Sequence, residues 1–230
     1  MNYQIIQIDP VTWRIEDNGV RLFLLAGTQK ALLIDSGMQI HNAKEIAETL
    51  TTLPVSLLNT HADMDHTGSN EQFDSFYMHP AEEPGYRSCG KRGQLIPVQD
   101  GDELDLGGRR LRIIHIPGHT PGSIAVLDLD RRVLISGDPV QEHGRIFMFG
   151  ENRNMKDYVD SLEKLNAMKT DFDELWPSHG DIPLGTDAIG KLLDGTKKVL
   201  RREVAGRTEE LFGRKIVAYD LGFTVLLCDD

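Results

Sequence analysis

Two cysteines, Cys89 and Cys228, are all that this chain of 230 residues carries, too few for a disulfide framework. Cys89 reads as a loop residue and Cys228 as part of a terminal strand or tail. Basic residues are also scarce: 25 Lys and Arg stand against 36 Asp and Glu, a formal charge of −11. A phosphate backbone needs a basic surface, so nucleic acid is excluded as the main partner. No apolar run approaches the roughly 20 residues that cross a bilayer. Met1–Gln4 show no basic region followed by an apolar stretch, as an export signal would. The expected location is therefore the reducing cytoplasm, with no membrane partner. No Gly-rich nucleotide loop follows a strand, no Pro/Gly/Ser linker divides the chain, and no low-complexity segment appears.

What remains is an ordinary apolar fraction, 40%, arranged in short runs. Gln4–Ile8, Arg21–Ala26 and Ala31–Ile34 read as strands, separated by the turns Asp17-Asn18-Gly19 and Gly27–Lys30. Ala43, Ile46, Ala47 and Leu50 recur with helical period, Pro54 stops that helix, and Val55–Leu58 reads as a buried strand. Further strands are expected at Phe76–Met78, Leu111–Ile114, Ile124–Leu127, Val133–Ile135, Phe172–Trp176 and Thr224–Leu227. Met155, Tyr158, Val159, Leu162, Leu165 and Met168 form one face of a helix. A last helix is expected over about Ala188 to Val204. Strand runs with helices after each half predict one α/β domain, two sheets packed face to face with helices outside.

Directly after Val55–Leu58 comes Asn59-Thr60-His61-Ala62-Asp63-Met64-Asp65-His66-Thr67-Gly68, with four potential metal ligands in six positions. Three more candidates follow, each in a Gly-containing turn: His119, Asp138 and His179. Imidazole and carboxylate are the ligands of divalent metals when a site must stay open. On a loop turning into a helix, His61 and Asp63 can face one ion while Asp65 and His66 face another. Asp138 is a natural bridge, since each carboxylate oxygen can hold one ion. Two ions roughly 3.5–4 Å apart would present hydroxide near neutral pH. They would also dominate the local potential, so the negative net charge does not exclude a small anionic substrate.

In order, spacing and flanking glycines, the chain resembles the metallo-β-lactamase-fold superfamily, and within it the glyoxalase II-like hydrolases. The matching positions are His61, Asp65, His66, His119, Asp138 and His179, and the similarity runs from about residue 20 to residue 180. Leu33–Gly37 and Pro117–Ser123 resemble further family signatures. The resemblance implies a four-layer αββα sandwich as a single domain over residues 1–230. It implies one ion on His61, Asp63 and His119, a second on Asp65, His66 and His179, Asp138 between them, and Asp35 orienting the ligand loop.

Asp63 departs from the pattern, standing where the family has its second His. The site becomes harder and more negative, which brings manganese or iron into consideration beside zinc. Two divalent ions, zinc first, are therefore the expected cofactors, and Asp65 and Asp138 the candidate catalytic carboxylates. The expected activity is hydrolysis of a small ester, thioester or lactone by a metal-bound hydroxide. The alternatives are a flavodiiron-like non-haem iron redox protein and a phosphodiesterase. His41, His79 and His115 fall outside the ligand pattern. His143 is placed either at the substrate cleft or on a plain loop, and Arg145 and Arg153 either on a substrate anion or in solvent. The stretch Met78–Leu95 either covers the cleft or is surface.

Overall fold

The computed structural model describes residues 3–230. The first sheet holds β1 (Tyr3–Asp9), β2 (Thr12–Asp17), β3 (Val20–Ala26), β4 (Ala31–Ile34), β5 (Val55–Leu58), β6 (Ser75–Met78) and β7 (Gln94–Pro97), in that spatial order. β1 to β4 are antiparallel neighbours, whereas β4 to β7 pair in parallel. The second sheet is built from β8 (Glu103–Asp105), β9 (Arg110–His115), β10 (Ile124–Asp128) and β11 (Val133–Gly137). The chain then leaves through β12 (Arg145–Met148) and returns with β13 (Glu174–Pro177) and β14 (Leu184–Gly185). β12 pairs with β17 (Val225–Asp229), which continues into β16 (Arg214–Asp220) and β15 (Gly206–Leu211), a third sheet. The helices are α1 (Ala43–Leu50), α2 (Glu83–Ser88), α3 (Met155–Ala167) and α4 (Asp187–Leu200). Among the described residues no helix is long and apolar enough to cross a membrane.

Strand side chains alternate between faces, and here both faces of the central strands are covered. Leu22 and Leu24 of β3 pack with Ile46 and Ala47 of α1, while Phe23 and Leu25 face Ile113, Val126 and Ile135 of the second sheet. The far side of that sheet, Ala125, Leu127 and Leu134, packs against Tyr158 and Leu162 of α3 and Ile189 and Leu192 of α4. The result is the αββα layering expected from the sequence. Strands buried on both faces read as continuous apolar runs, which is why β3, β4, β10 and β11 were visible beforehand.

Several elements differ from expectation. The polar strand β2 (TWRIED) carries Arg14 and Glu16, and these pair with each other. The β15–β16 hairpin turns at Phe212-Gly213, both at positive φ; β15 is largely exposed, and β16 buries only Ile216 and Ala218, a stripe of two residues. α4 ends at Leu200, short of Val204, because the chain turns out of helix at Arg202 (φ 60°). Met78–Leu95 contains a 3-10 turn (Pro80–Glu82) and α2, with β7 starting at Gln94.

Strand direction gathers the candidate site at one edge. β4 and β5 run parallel, and β9, β11 and β13 share one direction because β9 and β11 both pair antiparallel to β10 while β13 is parallel to β11. The loops after these five strands carry Asp35, the His61–His66 run, His119, Asp138 and His179. Backbone bonds Ile124 N–H to Thr60 O (2.9 Å) and Arg21 N–H to Ser178 O (3.0 Å) tie the two sheets at this edge.

Candidate metal centre

Each candidate histidine is held at Nδ1 and turns Nε2 inward. His119 Nδ1 lies 2.9 Å from Phe147 O and His179 Nδ1 2.6 Å from Gly19 O; a carbonyl only accepts, so both imidazoles carry their proton on Nδ1. His66 Nδ1 meets Asp35 Oδ2 at 2.8 Å. Thr60 donates its hydroxyl to the same Asp35 oxygen (2.8 Å), so its own oxygen is left to accept from His61 Nδ1 at 3.0 Å. These contacts assign one tautomer to all four rings. Asp35 also accepts Thr60 N–H (2.8 Å) from a backbone at φ 62°.

The seven candidates fall into two groups, each with ligand atoms within 4.8 Å of one another: His61, Asp63 and His119; and Asp65, His66, Asp138 and His179. Asp63 Oδ2 lies 3.5 Å from His61 Nε2 and 3.4 Å from His119 Nε2. Asp65 Oδ2 lies 3.5 Å from His66 Nε2 and 3.1 Å from His179 Nε2. Asp138 spans the groups: Oδ1 is 3.2 Å from His66 Nε2 and 3.4 Å from His179 Nε2, and Oδ2 is 3.6 Å from His119 Nε2.

The Nε2 atoms of His61, His66 and His119, and Oδ1 of Asp138, are buried without a hydrogen-bond partner. Buried polar atoms are normally satisfied, so converging lone pairs of this kind fit a cation. Titration behaviour agrees. Burial alone would raise the Asp63 carboxyl, but hydrogen bonds to His119 and His61 and their charge hold it well below the usual range. Asp65 and Asp138 are likewise driven down against burial, Asp65 by His66 and His179 and Asp138 by His179 and His66. Burial would lower His66, yet Asp65, Asp138 and Asp35 push it well above its ordinary value. His119 moves the other way, lowered by burial and then by the charge of Arg153. The three carboxylates stay ionised because imidazoles face them; a divalent ion in the same place would supply that positive charge instead.

Beside the first group opens a cavity of about 310 Å³, lined by Asp63, Met64, Ser88, Cys89, Thr120 and Arg153 among others. The stretch after Met78 therefore forms one wall of it. Arg153, open in the sequence between substrate anion and solvent, donates instead from Nη2 to Asp63 Oδ2 (2.6 Å) and from Nη1 to His119 O. Arg145 pairs with Glu209 on the third sheet, and exposed His143 pairs with Asp181 (2.7 Å), outside the cavity lining. His79 and His115 stack on each other with ring centroids 4.0 Å apart.

Sequence reading missed Glu82. Its carboxylate is buried, accepts Ala62 N–H at Oε2 and Gly122 N–H at Oε1, both at 2.7 Å, and so ties the His61 loop to the His119 loop. Nothing local in His79-Pro80-Ala81-Glu82 announces this, since both partners are remote in sequence. Glu82→Gln puts an amide donor against one of the two N–H groups. We expect a loss of about 1–3 kcal/mol, measured by thermal unfolding; an unchanged Tm would show that the loops are held without it.

With fold and geometry in hand, comparison with known proteins defines the class. The Metallo-beta-lactamase superfamily model matches residues 17–174, and the chain belongs to that superfamily. It is an enzyme of the metallo-hydrolase class. It is 29% identical over 189 residues to the acyl-coenzyme A thioesterase MBLAC2 of Homo sapiens, covering 64% of this chain and 67% of that protein. It is 31% identical over 171 residues to the hydroxyacylglutathione hydrolase of Gloeobacter violaceus (strain ATCC 29082 / PCC 7421), covering 72% of this chain and 64% of that protein. The chain thus spans about two thirds of the length of these relatives. In fold it is similar to the metallo-beta-lactamase from Pontibacter korlensis, with a TM-score of 0.73 at 17% identity over 85% of this chain and 99% of that one.

Proposed function

We propose that this chain is a metal-dependent thioester hydrolase for a small acyl thioester, with two divalent ions, zinc in the first instance. His61, Asp63 and His119 would hold one ion and Asp65, His66 and His179 the other, with Asp138, whose oxygens face both groups, as a ligand shared between them. The observation that carries this reading is the set of buried, unpartnered Nε2 atoms, those of His66 and His119 facing different oxygens of Asp138 and that of His61 facing Asp63. Similarity to an acyl-coenzyme A thioesterase and to a hydroxyacylglutathione hydrolase favours thioesters over lactones and simple esters. When bound, such ions lower the pKa of water and polarise a carbonyl.

The chain's own residues do the rest. Asp35, Phe147 O, Gly19 O and Thr60 fix the four ring tautomers, so no reorganisation is needed to present the nitrogens. The cavity beside Asp63 admits the acyl group, with Met64 and Cys89 as apolar lining and Ser88 and Thr120 as polar lining. Asp65, its Oδ2 3.1 Å from His179 Nε2, is assigned the proton released from the attacking water.

The test is elemental analysis of the purified protein, then thiol release from a short acyl-CoA and an S-acyl glutathione. About two ions per chain, and activity lost to a chelator and restored by zinc, are expected. Absence of metal, or no thiol release from the metal-loaded protein, overturns the proposal. The Asp63 carboxylate favours one further reading, a non-haem iron redox protein. Iron with a visible absorption band would select it.

A further inference from the structure

The Asp63 position makes Arg153 conspicuous. An aspartate in place of a neutral imidazole has a shorter side chain, a full negative charge, and a face open to the cavity. Left alone, a carboxylate there would turn toward water and lose its aim at His61 and His119. Arg153 prevents this. One nitrogen of its guanidinium meets Asp63 Oδ2 at 2.6 Å, and another donates to the main-chain carbonyl of His119. The side chain of one candidate ligand is thereby tied to the backbone of another.

Arg153 is itself fixed. It sits in the turn between Gly150 and α3, where Asn152 is at φ 73° and Arg153 N–H donates to Gly150 O. The next residue, Asn154, caps α3 through Lys156 N–H and Asp157 N–H and donates its own N–H to Gly118 O at 2.8 Å. The Arg153 side chain is only 13% exposed, unusual for an arginine on a loop of so acidic a chain. A planar fork with two donors suits this task; a lysine ammonium is a point charge and does not span two acceptors in the same way.

We propose that Arg153 is a positioning residue that makes Asp63 serviceable as a metal ligand, by clamping its carboxylate to the His119 loop. The proposal rests on the reading of His61, Asp63 and His119 as an ion site. Asp63 and Arg153 are then a matched pair: the clamp between the two loops closes only while residue 63 is acidic.

The experiment is a zinc titration of the full-length, chelator-stripped protein in competition with a chromophoric chelator. It compares the wild type, Arg153→Met, Arg153→Lys, Asp63→His and the double variant Asp63→His/Arg153→Met. In the Arg153→Met protein, affinity for one of the two ions is expected to fall about 10–100-fold, as when the hydrogen-bond partner of a ligand is removed. Affinity for the other ion stays the same. Arg153→Lys recovers only part of the loss. In the Asp63→His background, Arg153→Met changes affinity by less than about threefold, because no carboxylate is left to clamp. Circular dichroism checks each fold, and Arg153→Lys carries the test if Arg153→Met does not fold.

Unchanged zinc affinity in Arg153→Met overturns the proposal. So does tighter binding, which would make Arg153 merely a charge that repels the ion. An equal loss in the Asp63→His background overturns it too, since the effect would then be structural. A wild-type protein that binds no zinc, manganese or iron overturns the proposed function and this inference together, and is recognised before any variant is made.

Discussion

Replacing Asp138 by Ala is expected to lower thioester hydrolysis by about 10³-fold or more, equivalent to about 4 kcal/mol of transition-state stabilisation. Asp138 is the one candidate ligand whose two oxygens face different groups, so its loss opens both sites at once. The fold should survive. The Asp138 main chain is held independently, its carbonyl accepting Gln141 Nε2–H at 2.9 Å, and β11 ends before it. Metal content measured beside kcat/KM separates the causes: the variant should retain fewer ions than the wild type, and added zinc should restore little activity. A rate within tenfold of wild type would remove Asp138 from the proposed chemistry.

Gly118→Ala is expected to be severely damaging, costing about 3 kcal/mol or more in stability. Gly118 lies at φ 130°, a region closed to side chains, and a Cβ there would stand 2.4 Å from both N and Cα of Tyr158. Tyr158 is fully buried in α3, so the obstacle is helix backbone and does not swing away. Relief requires α3 to withdraw from the His119 loop, breaking the Asn154 N–H bond to Gly118 O and shifting Arg153 with it. Denaturant unfolding should show the loss, and metal affinity should fall in the protein that does fold. A variant within 1 kcal/mol of wild type would mean that the loop relaxes without moving the helix.

The two predictions draw on different kinds of information, and the same division runs through the chain. The His61–His66 run could be read directly because its members are local, a loop following an apolar strand. His119, Asp138 and His179 stood out because each sits in a Gly-containing turn at a strand end. α1 and α3 were visible from their period, and the layered sandwich from the order of apolar runs. The resemblance noted over about residues 20–180 agrees with the superfamily match over 17–174. Strands β2, β12, β15 and β16 were hidden: they carry charged residues whose partners lie on the same strand, as with Arg14 on Glu16, or across the same sheet, as with Arg145 on Glu209. Periodicity reports apolar burial: β15 has little burial to report, and in β2 charged residues interrupt the apolar pattern although the strand is well covered.

By itself, then, the sequence determined the layering, the strand-end placement of the candidate ligands, and the acidic residue at position 63. All of these depend on residue type and short-range order. Only the tertiary structure decided which ring nitrogen each histidine turns inward and which oxygen of Asp138 faces which group. It alone brought Glu82 onto both ligand loops and Arg153 onto Asp63, 90 residues away. Hydrogen bonds of that kind are set by the direction of β9, β11 and β13 and by the close approach at Gly118. They leave no local mark, because a buried carboxylate and a surface one are spelled with the same letter.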